Sequence, residues 1–191
     1  MSIRPVIIDN YDSFTYNLKA LVYEGCGINP EILKNDDPRC MHLEDYSHIV
    51  ISPGPGLPHS SGLLNECLAS YYGKRPIFGV CLGLQALAEY NGLSLYQLNK
   101  VCHGLRSKIY ITNDSGIFNG LPSRCIHVGR YHSWAVKDSG NHLNLITTST
   151  DAQGIPMSME DIKNKAYGLQ FHPESYMTEY GVEMMRNFLK T

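Results

Sequence analysis

A five-residue segment, Gly79-Val80-Cys81-Leu82-Gly83, joins a short apolar run to a helical pattern, and it constrains the fold more than any other part of the chain. The apolar run at 77–80 predicts a buried strand, and the residues from Leu84 to Glu89 predict a helix. Glycines at both ends of the segment let two backbone stretches approach where a Cβ atom would collide. The sequence therefore predicts a tight strand-to-helix turn with a cysteine inside it.

The cysteine of this turn has two interpretations. The start of a helix offers unpaired backbone N–H groups and a partial positive charge, which favour a thiolate and hence a nucleophile. A buried cysteine that merely ends a core strand is equally compatible with the turn, because free cysteines are among the most buried residues. The turn by itself leaves both interpretations open.

Continuous apolar strands alternate with amphipathic helices through the first half of the chain. Strands are predicted at 6–9, 30–34, 46–52 and 77–80. The predicted helices run from a cap at Asp12 or Ser13 to Gly25 or Gly27, through 63–71, and from Cys81 to near Gly92. This alternation predicts a parallel sheet that is covered by helices on both faces.

The second half of the chain has a different pattern. Short strands are predicted at 107–112, 125–128, 133–136, 143–147 and 165–171, with turn residues at 113–114, 119–120 and 139–140, and a helix is predicted at 180–189. We therefore expect one α/β domain over residues 1–191, with an open, mostly parallel sheet, flanking helices and antiparallel additions. Ligands of such sheets bind at the carboxyl ends of the strands, where Cys81 and the turn at 53–56 both lie.

Composition excludes several classes of protein. The 191 residues are 43% hydrophobic and 18% charged, with a net charge of −2 and no run of like charges, which disfavours nucleic acid or an anionic membrane as the partner. There is no bilayer-length apolar stretch and no signal-peptide pattern, so we expect a cytoplasmic protein. The eight histidines and six cysteines form no metal-binding spacing. We expect five of the cysteines to be core residues and only Cys81 to be reactive.

A cysteine nucleophile needs a base, and His172 is the best candidate for that base. It ends an apolar strand, and Pro173 keeps it extended, so Glu174 two positions on points to the same side. The carboxylate can then orient the imidazole and leave its other nitrogen for Cys81. A surface ion pair at a strand end would give the same pattern.

Acyl transfer also needs donors for a developing oxyanion. The turn Pro53-Gly54-Pro55-Gly56 exposes backbone N–H groups after a strand, and Leu82 follows the cysteine directly. The N–H groups of Gly56 and Leu82 are the predicted pair of donors. Taken alone, the Pro-Gly-Pro-Gly segment is only a turn.

Several segments of the chain resemble one family. Three segments of the chain resemble the signature segments of class-I (triad) glutamine amidotransferases. They are Ser52-Pro53-Gly54-Pro55-Gly56, Gly79-Val80-Cys81-Leu82-Gly83-Leu84-Gln85 and Phe171-His172-Pro173-Glu174-Ser175. Within that family, three further segments resemble the small subunits of anthranilate synthase and of aminodeoxychorismate synthase. They are Asp9-Asn10-Tyr11-Asp12-Ser13-Phe14-Thr15-Tyr16-Asn17-Leu18, His103-Gly104 and Arg130-Tyr131-His132-Ser133. The resemblance runs from residue 6 to about residue 189 and implies a flavodoxin-like fold.

The resemblance implies a role for each matched residue. Cys81 would attack the side-chain amide of L-glutamine, His172 would move protons, and Glu174 would orient His172. The backbone of Gly56 and Leu82 would bind the oxyanion. Glutamine would contact a set of residues that comprises Gly54, Pro55, Gly56, Gln85, Ser133 and Trp134.

The resemblance also implies a partner. Ammonia would pass to a chorismate-binding synthase large subunit, with no cofactor in this subunit and Mg²⁺ only in the partner. Trp134 and Leu105 depart from the commoner family pattern, and His132 is interpreted as a structural or interface residue. Anthranilate is the favoured product, with aminodeoxychorismate as the alternative. A non-catalytic regulatory member of the fold and a freestanding γ-glutamyl hydrolase are the other hypotheses.

Overall fold

The computed structural model describes residues 3–114, 116–138, 140 and 144–191. Its first half contains β1 (Pro5–Asp9), α1 (Thr15–Cys26), β2 (Glu31–Lys34), β3 (His48–Ile51), α2 (Leu64–Tyr71), β4 (Ile77–Val80), α3 (Leu82–Tyr90) and β5 (Ser94–Gln97). Its second half contains β6 (Leu105–Ile111), β7 (Cys125–Arg130), β8 (Trp134–Lys137), β9 (Ile146–Asp151), β10 (Pro156–Asp161), β11 (Ala166–Leu169) and α4 (Gly181–Phe188). Short 3-10 turns lie at Pro38–Met41, Pro58–Ser60 and Gly116–Phe118.

A nine-stranded sheet organises the chain in the order β2-β1-β3-β4-β11-β10-β9-β6-β7. The first five strands of this order are parallel, and the remaining four pair antiparallel. Strands β5 and β8 form a separate antiparallel pair. The parallel part has the flavodoxin-like order, with β11 as its fifth strand. The predicted fold class is therefore confirmed.

Two hydrophobic clusters cover the two faces of this sheet. Successive residues of β1 point to opposite faces, so Ile8 joins one cluster and Ile7 the other. The first cluster contains apolar side chains of α2 and α3, such as Leu68 and Leu87. The second contains those of α1 and α4, such as Phe188. Both faces are buried, which explains why the sequences of the parallel strands are continuous apolar runs.

Two strands of the structure were not predicted from the sequence, and the predicted cap of helix α1 is wrong. Strand β5 is mostly exposed, and β10 is buried along its whole length although half of its residues are polar, so neither is the continuous apolar run that marks a buried strand. Helix α1 is capped by Phe14 without a side-chain hydrogen bond, not by Asp12 or Ser13. Asp12 instead accepts a hydrogen bond from the Phe14 backbone, in the turn before the helix. Gly27, in the left-handed conformation, ends α1 as predicted.

The other predicted elements overlap the observed ones. The strands expected at 107–112, 125–128, 133–136 and 165–171 correspond to β6, β7, β8 and β11, and the helix expected at 180–189 is α4. The strand expected at 143–147 overlaps the start of β9, while its first residue, Leu143, lies outside the described residues. The predicted turn residue Ser139 lies outside them as well.

All six cysteines are free thiols, but they do not share one environment. Cys40 and Cys67 are core residues, and burial raises the pKa of their thiols to about 11 and about 12. Cys26 and Cys102 are half-buried, and Cys125 is exposed at the start of an outer strand. The expectation of five core cysteines is therefore wrong for these three.

Within residues 3–114, 116–138, 140 and 144–191, no helix is both long enough and apolar enough to cross a bilayer.

Candidate active site

Cys81 occupies the turn between β4 and α3. Its backbone has φ of 51° and ψ of −99°, a conformation that L-residues rarely adopt. A Cβ atom on Gly79 would lie 2.4 Å from the carbonyl carbon of Gly83, and one on Gly83 would lie 2.9 Å from the backbone oxygen of Ile51. Both glycines are thus needed for the close packing of strand against helix. The predicted turn is present, and it holds the thiol at the carboxyl edge of the sheet.

His172 and Glu174 lie at the same edge, after β11. His172 Nδ1 is 2.7 Å from Glu174 Oε1, and the exposed fractions of the two side chains are 3% and 0%. The backbone of His172 is fixed as well, because its N–H donates to the Gly129 carbonyl and its carbonyl accepts from the Thr178 hydroxyl. The predicted imidazole–carboxylate hydrogen bond therefore exists, and it is buried, so the interpretation as a surface ion pair is excluded by burial.

The remaining ring nitrogen of His172 is available to Cys81. Nε2 is buried and makes no hydrogen bond of ordinary geometry within the described part of the chain. Burial acts to lower the pKa of the imidazole, but interaction with Cys81 and Glu174 outweighs it and raises that pKa to about 10. Cys81 and Glu174 thus both favour the charged form of the ring. An imidazolium beside a sulfur is the arrangement that a cysteine nucleophile requires.

Two aromatic rings cover the imidazole. The ring of Tyr131 lies 4.9 Å from that of His172, and the ring of Phe14 lies 5.4 Å from it, both edge-on. Phe14 precedes α1, and Tyr131 follows β7, so two distant parts of the chain enclose the same ring. They restrict the imidazole to one orientation and limit the access of water.

The turn at 53–56 lies at the neighbouring strand end, after β3. Asn10, after β1, fixes its start: its backbone N–H donates to the Ser52 hydroxyl, and its side-chain amide donates to the Ser52 carbonyl, each at 2.8 Å. A Cβ atom on Gly54 would lie 2.5 Å from Asn10 Cβ, so this glycine is required by the packing against Asn10. Gly56 has φ of 78°, a value that favours glycine. The roles of Gly54, Pro55 and Gly56 toward a ligand stay predictions.

Gln85 and Trp134 are joined by a hydrogen bond near Cys81. Gln85 lies on α3 one turn after Cys81, is 3% exposed, and its Nε2 donates to the Trp134 carbonyl at 3.1 Å. Ser133 precedes Trp134, and its own carbonyl accepts from the Leu98 backbone. The predicted glutamine-binding residues on α3 and at 133–134 are therefore in contact. The amide of Leu82 begins α3, where N–H groups have no acceptor within the helix.

Gln170 was missed as a site residue. Its side chain is fully buried, with Nε2 3.5 Å from Cys81 Sγ and Oε1 3.3 Å from Gln85 Nε2. The available signal was the extended chain, in which residue 170 points to the same side as His172 and Glu174.

A buried charged network was also missed. The Arg130 guanidinium donates to Asp151 at 2.7 Å, with exposed fractions of 6% and 3%, and its Nε donates to His132 Nε2 at 3.1 Å. His132 Nδ1 lies 2.8 Å from the Trp134 carbonyl. Burial lowers the pKa of His132 to about 4, so its ring is neutral near pH 7. The network holds the segment from His132 to Trp134 in place, which fits the structural interpretation of His132.

Surface cavities lie near these groups. One of about 710 Å³ has Arg130 and Asp151 in its wall, and one of about 310 Å³ is lined by Phe14 and Glu174. Across the described ranges, no three His, Cys, Asp or Glu side chains cluster closely enough to hold a metal ion. The chemistry that these residues support is nucleophilic acyl transfer.

Known proteins resemble this chain in sequence and in fold. The family described as "Glutamine amidotransferase class-I" matches residues 6–191. Anthranilate synthase component 2 of Lactococcus lactis is 41% identical over 187 residues, which are 96% of this chain and 92% of that protein. Aminodeoxychorismate/anthranilate synthase component 2 of Bacillus subtilis is 38% identical over 97% of this chain and 95% of that protein. A glutamine amidotransferase structure from Thermotoga maritima, 20% identical, superposes with a TM-score of 0.70 over 91% of this chain and 77% of that one.

Proposed function

Because this chain belongs to the class-I glutamine amidotransferase family, we propose that it hydrolyses L-glutamine to glutamate and ammonia and passes the ammonia to a chorismate-binding synthase subunit that makes anthranilate. The observation that carries the proposal is the buried His172–Glu174 pair beside a cysteine in a strained turn. The proposal treats residues 1–191 as one amidotransferase domain in the cytoplasm, and the family match over 6–191 supports that extent.

In the proposed reaction, the Cys81 thiolate attacks the side-chain amide carbon of glutamine. The oxyanion that forms accepts hydrogen bonds from the backbone N–H groups of Gly56 and Leu82. The His172 imidazolium gives its proton to the leaving nitrogen, and ammonia departs from a γ-glutamyl thioester. Gln85 and the backbone of Gly54, Pro55, Ser133 and Trp134 hold the rest of the glutamine.

Water completes the proposed cycle. His172, now neutral, takes a proton from the water as the oxygen attacks the thioester carbon. The second tetrahedral intermediate collapses, the C–S bond breaks, and the sulfur leaves as a thiolate beside the imidazolium. Glutamate is released, and the pair returns to its starting state. No cofactor takes part in this subunit, and in this proposal Mg²⁺ belongs to the partner alone.

The Cys81→Ala variant tests the chemistry. Glutamine hydrolysis should fall to the uncatalysed rate, because no other side chain at this strand edge can form the thioester. Cys125→Ala is the matched control, since its thiol is exposed on an outer strand, and it should keep full activity. Unchanged hydrolysis by the Cys81 variant would contradict the mechanism. No hydrolysis by the wild-type chain, with or without the large subunit, would favour a non-catalytic member of the fold.

The partner is tested by co-purification. We expect the isolated chain to hydrolyse glutamine weakly and to be strongly stimulated by a chorismate-binding large subunit, with anthranilate as the product. A second outcome is aminodeoxychorismate, favoured by the B. subtilis relative, whose name carries both activities. The partner that binds, and the product that accumulates with glutamine as nitrogen donor, distinguish the two. Full glutaminase activity without any partner would favour a freestanding hydrolase.

A further inference from the structure

Gln170 reaches the cysteine through the pairing of two strands. Strands β4 and β11 are parallel neighbours with Val80 opposite Leu169, and the Cys81 N–H donates to the Leu169 carbonyl at 2.7 Å. The residues that follow these strands, Cys81 and Gln170, are therefore adjacent at the carboxyl edge of the sheet. Gln170 is fully buried there, and its backbone N–H donates to the Met157 carbonyl at 2.9 Å. Its position is thus set by two neighbouring strands.

The surrounding hydrogen bonds determine which end of the Gln170 amide faces the sulfur. The Trp134 carbonyl can only accept, so the Gln85 atom 3.1 Å from it is the NH₂ group. The same Gln85 Nε2 lies 3.3 Å from Gln170, which must therefore present its oxygen to Gln85. The NH₂ group of Gln170 is then the end that lies 3.5 Å from Cys81 Sγ. The amide cannot flip without placing two NH₂ groups against each other.

The Trp134 carbonyl is itself fixed by a chain that starts at an obligate donor. Arg130 donates from Nε to His132 Nε2, so the ring proton of the neutral His132 is on Nδ1, which donates to the Trp134 carbonyl. Asp151 holds Arg130 from the other side. A largely buried series of oriented hydrogen bonds thus runs from the ion pair of β7 and β9 to the cysteine. The last hydrogen bond of this series is to Cys81 Sγ, the atom that attacks glutamine in the proposed reaction.

We propose that Gln170 is a further catalytic residue, whose side-chain N–H donates a hydrogen bond to the Cys81 sulfur and stabilises the thiolate. This inference rests on the proposed function, in which the sulfur is negatively charged twice: as the attacking nucleophile and again as the group expelled from the thioester. A hydrogen bond to a charged acceptor is stronger than one to a neutral acceptor, so the contact favours both states over the neutral thiol. His172 supplies the proton transfers, and Gln170 supplies a donor that never titrates.

The test measures how fast iodoacetamide alkylates Cys81 as a function of pH, with the Cys81 peptide followed by mass spectrometry. Gln170→Met keeps the length of the side chain and removes its N–H groups, and Gln170→Glu places a carboxylate in their position. In both variants we expect the pH of half-maximal reactivity to rise by about one unit or more, as for a lost hydrogen bond to a charged group. We also expect kcat for glutamine hydrolysis to fall about tenfold or more, with a smaller change in KM.

Three comparisons make the result decisive. Gln153→Met, at an exposed glutamine, should leave the alkylation profile and kcat unchanged. If Gln170→Met does not fold, Gln170→Asn keeps an amide in the core but withdraws it from the sulfur by one methylene, and the same shift is expected. An unchanged midpoint in the folded variants, or a rise in KM alone, would overturn the inference by assigning Gln170 to the support of Gln85.

The two proposals fail separately. Alkylation of Cys81 does not require glutamine turnover. A midpoint that shifts in the Gln170 variants, when the wild-type chain has no glutaminase activity, would therefore support the Gln170 contact and contradict the proposed function. Glutaminase activity with unshifted Gln170 variants would do the reverse.

Discussion

Cys81 and its two neighbouring glycines illustrate how single residues set this site. Gly79 and Gly83 bring the end of β4 against the start of α3, and the cysteine between them takes a strained backbone conformation. The sequence predicted this turn because glycine spacing has a direct steric meaning. It did not reveal Gln170, because a single glutamine at the end of a strand has no steric signature, and its contact with the sulfur depends on the pairing of β4 with the distant strand β11.

The charge state of His172 determines how the proposed glutaminase activity depends on pH. Burial lowers the pKa of His172, but interaction with Cys81 and Glu174 outweighs that effect and raises the pKa to about 10, so the imidazolium persists up to that pH. Glu174→Gln removes the carboxylate. The alkaline limb of the kcat/KM profile should move to lower pH, and kcat should fall roughly 10²–10⁴-fold through the misoriented base.

The matched control for this variant is Glu179→Gln. Glu179 accepts from the His127 backbone at 2.8 Å but lies on the outside of the sheet edge, away from Cys81. Its substitution should leave the alkaline limb where it is. An alkaline limb that stays in place in Glu174→Gln would show that the carboxylate does not hold the proton of His172.

A buried carboxyl outside the site gives a second prediction. Glu160 on β10 is fully buried, its Oε2 has no hydrogen-bond partner among the described residues, and burial raises its pKa from 4.5 to about 8. The folded chain therefore keeps this proton while the unfolded chain loses it above pH 4.5. By linkage, this group lowers the free energy of unfolding as pH rises from about 4.5 to about 8.

Glu160→Gln should remove that pH dependence. The stability of the variant relative to wild type, measured by urea unfolding, should increase between pH 5 and pH 8 and then level off. Glu66→Gln, at an exposed position on α2, controls for the loss of one carboxyl and should show no such trend. A constant stability difference for Glu160→Gln across this range would mean that Glu160 is ionised in the folded chain.

At the scale of elements, the Arg130–Asp151 ion pair ties β7 to β9 across β6. Asp151 also accepts from the backbone N–H groups of Gln153 and Ile155, so it closes the β9–β10 turn as well. The sequence analysis placed Arg130 in a motif but did not identify Asp151 as its partner. Partners of buried charges come from distant strands, and only the strand order identifies them.

Asp151→Asn should destabilise the fold strongly. The substitution leaves the buried Arg130 guanidinium without a compensating charge, and breaking such a pair typically costs about 3–5 kcal/mol. Asp114→Asn, which breaks the exposed pair between Asp114 and Arg124, should cost about 0–1 kcal/mol. Equal midpoints of chemical unfolding for the two variants would contradict the distinction between buried and exposed pairs.

At the scale of the whole molecule, the parallel half of the sheet followed from the sequence, and much of the antiparallel half did not. Continuous apolar strands and amphipathic helices predict a doubly covered parallel sheet without further information. Strand β10 carries Ser158, Glu160 and Asp161 inside the fold, so polarity gave no indication of its burial. The order of strands then brings Cys81 to the same edge as His172 and Glu174, which lie far from it in the sequence.

The most direct test of this account is covalent labelling of the complete chain by an electrophilic glutamine analogue, with the modified residue mapped by mass spectrometry. We expect a single adduct on Cys81, formed in competition with L-glutamine and absent in Cys81→Ala, although Cys81 is only 6% exposed and Cys125 is an accessible thiol. An adduct on Cys125 or another cysteine, with Cys81 unmodified, would contradict it.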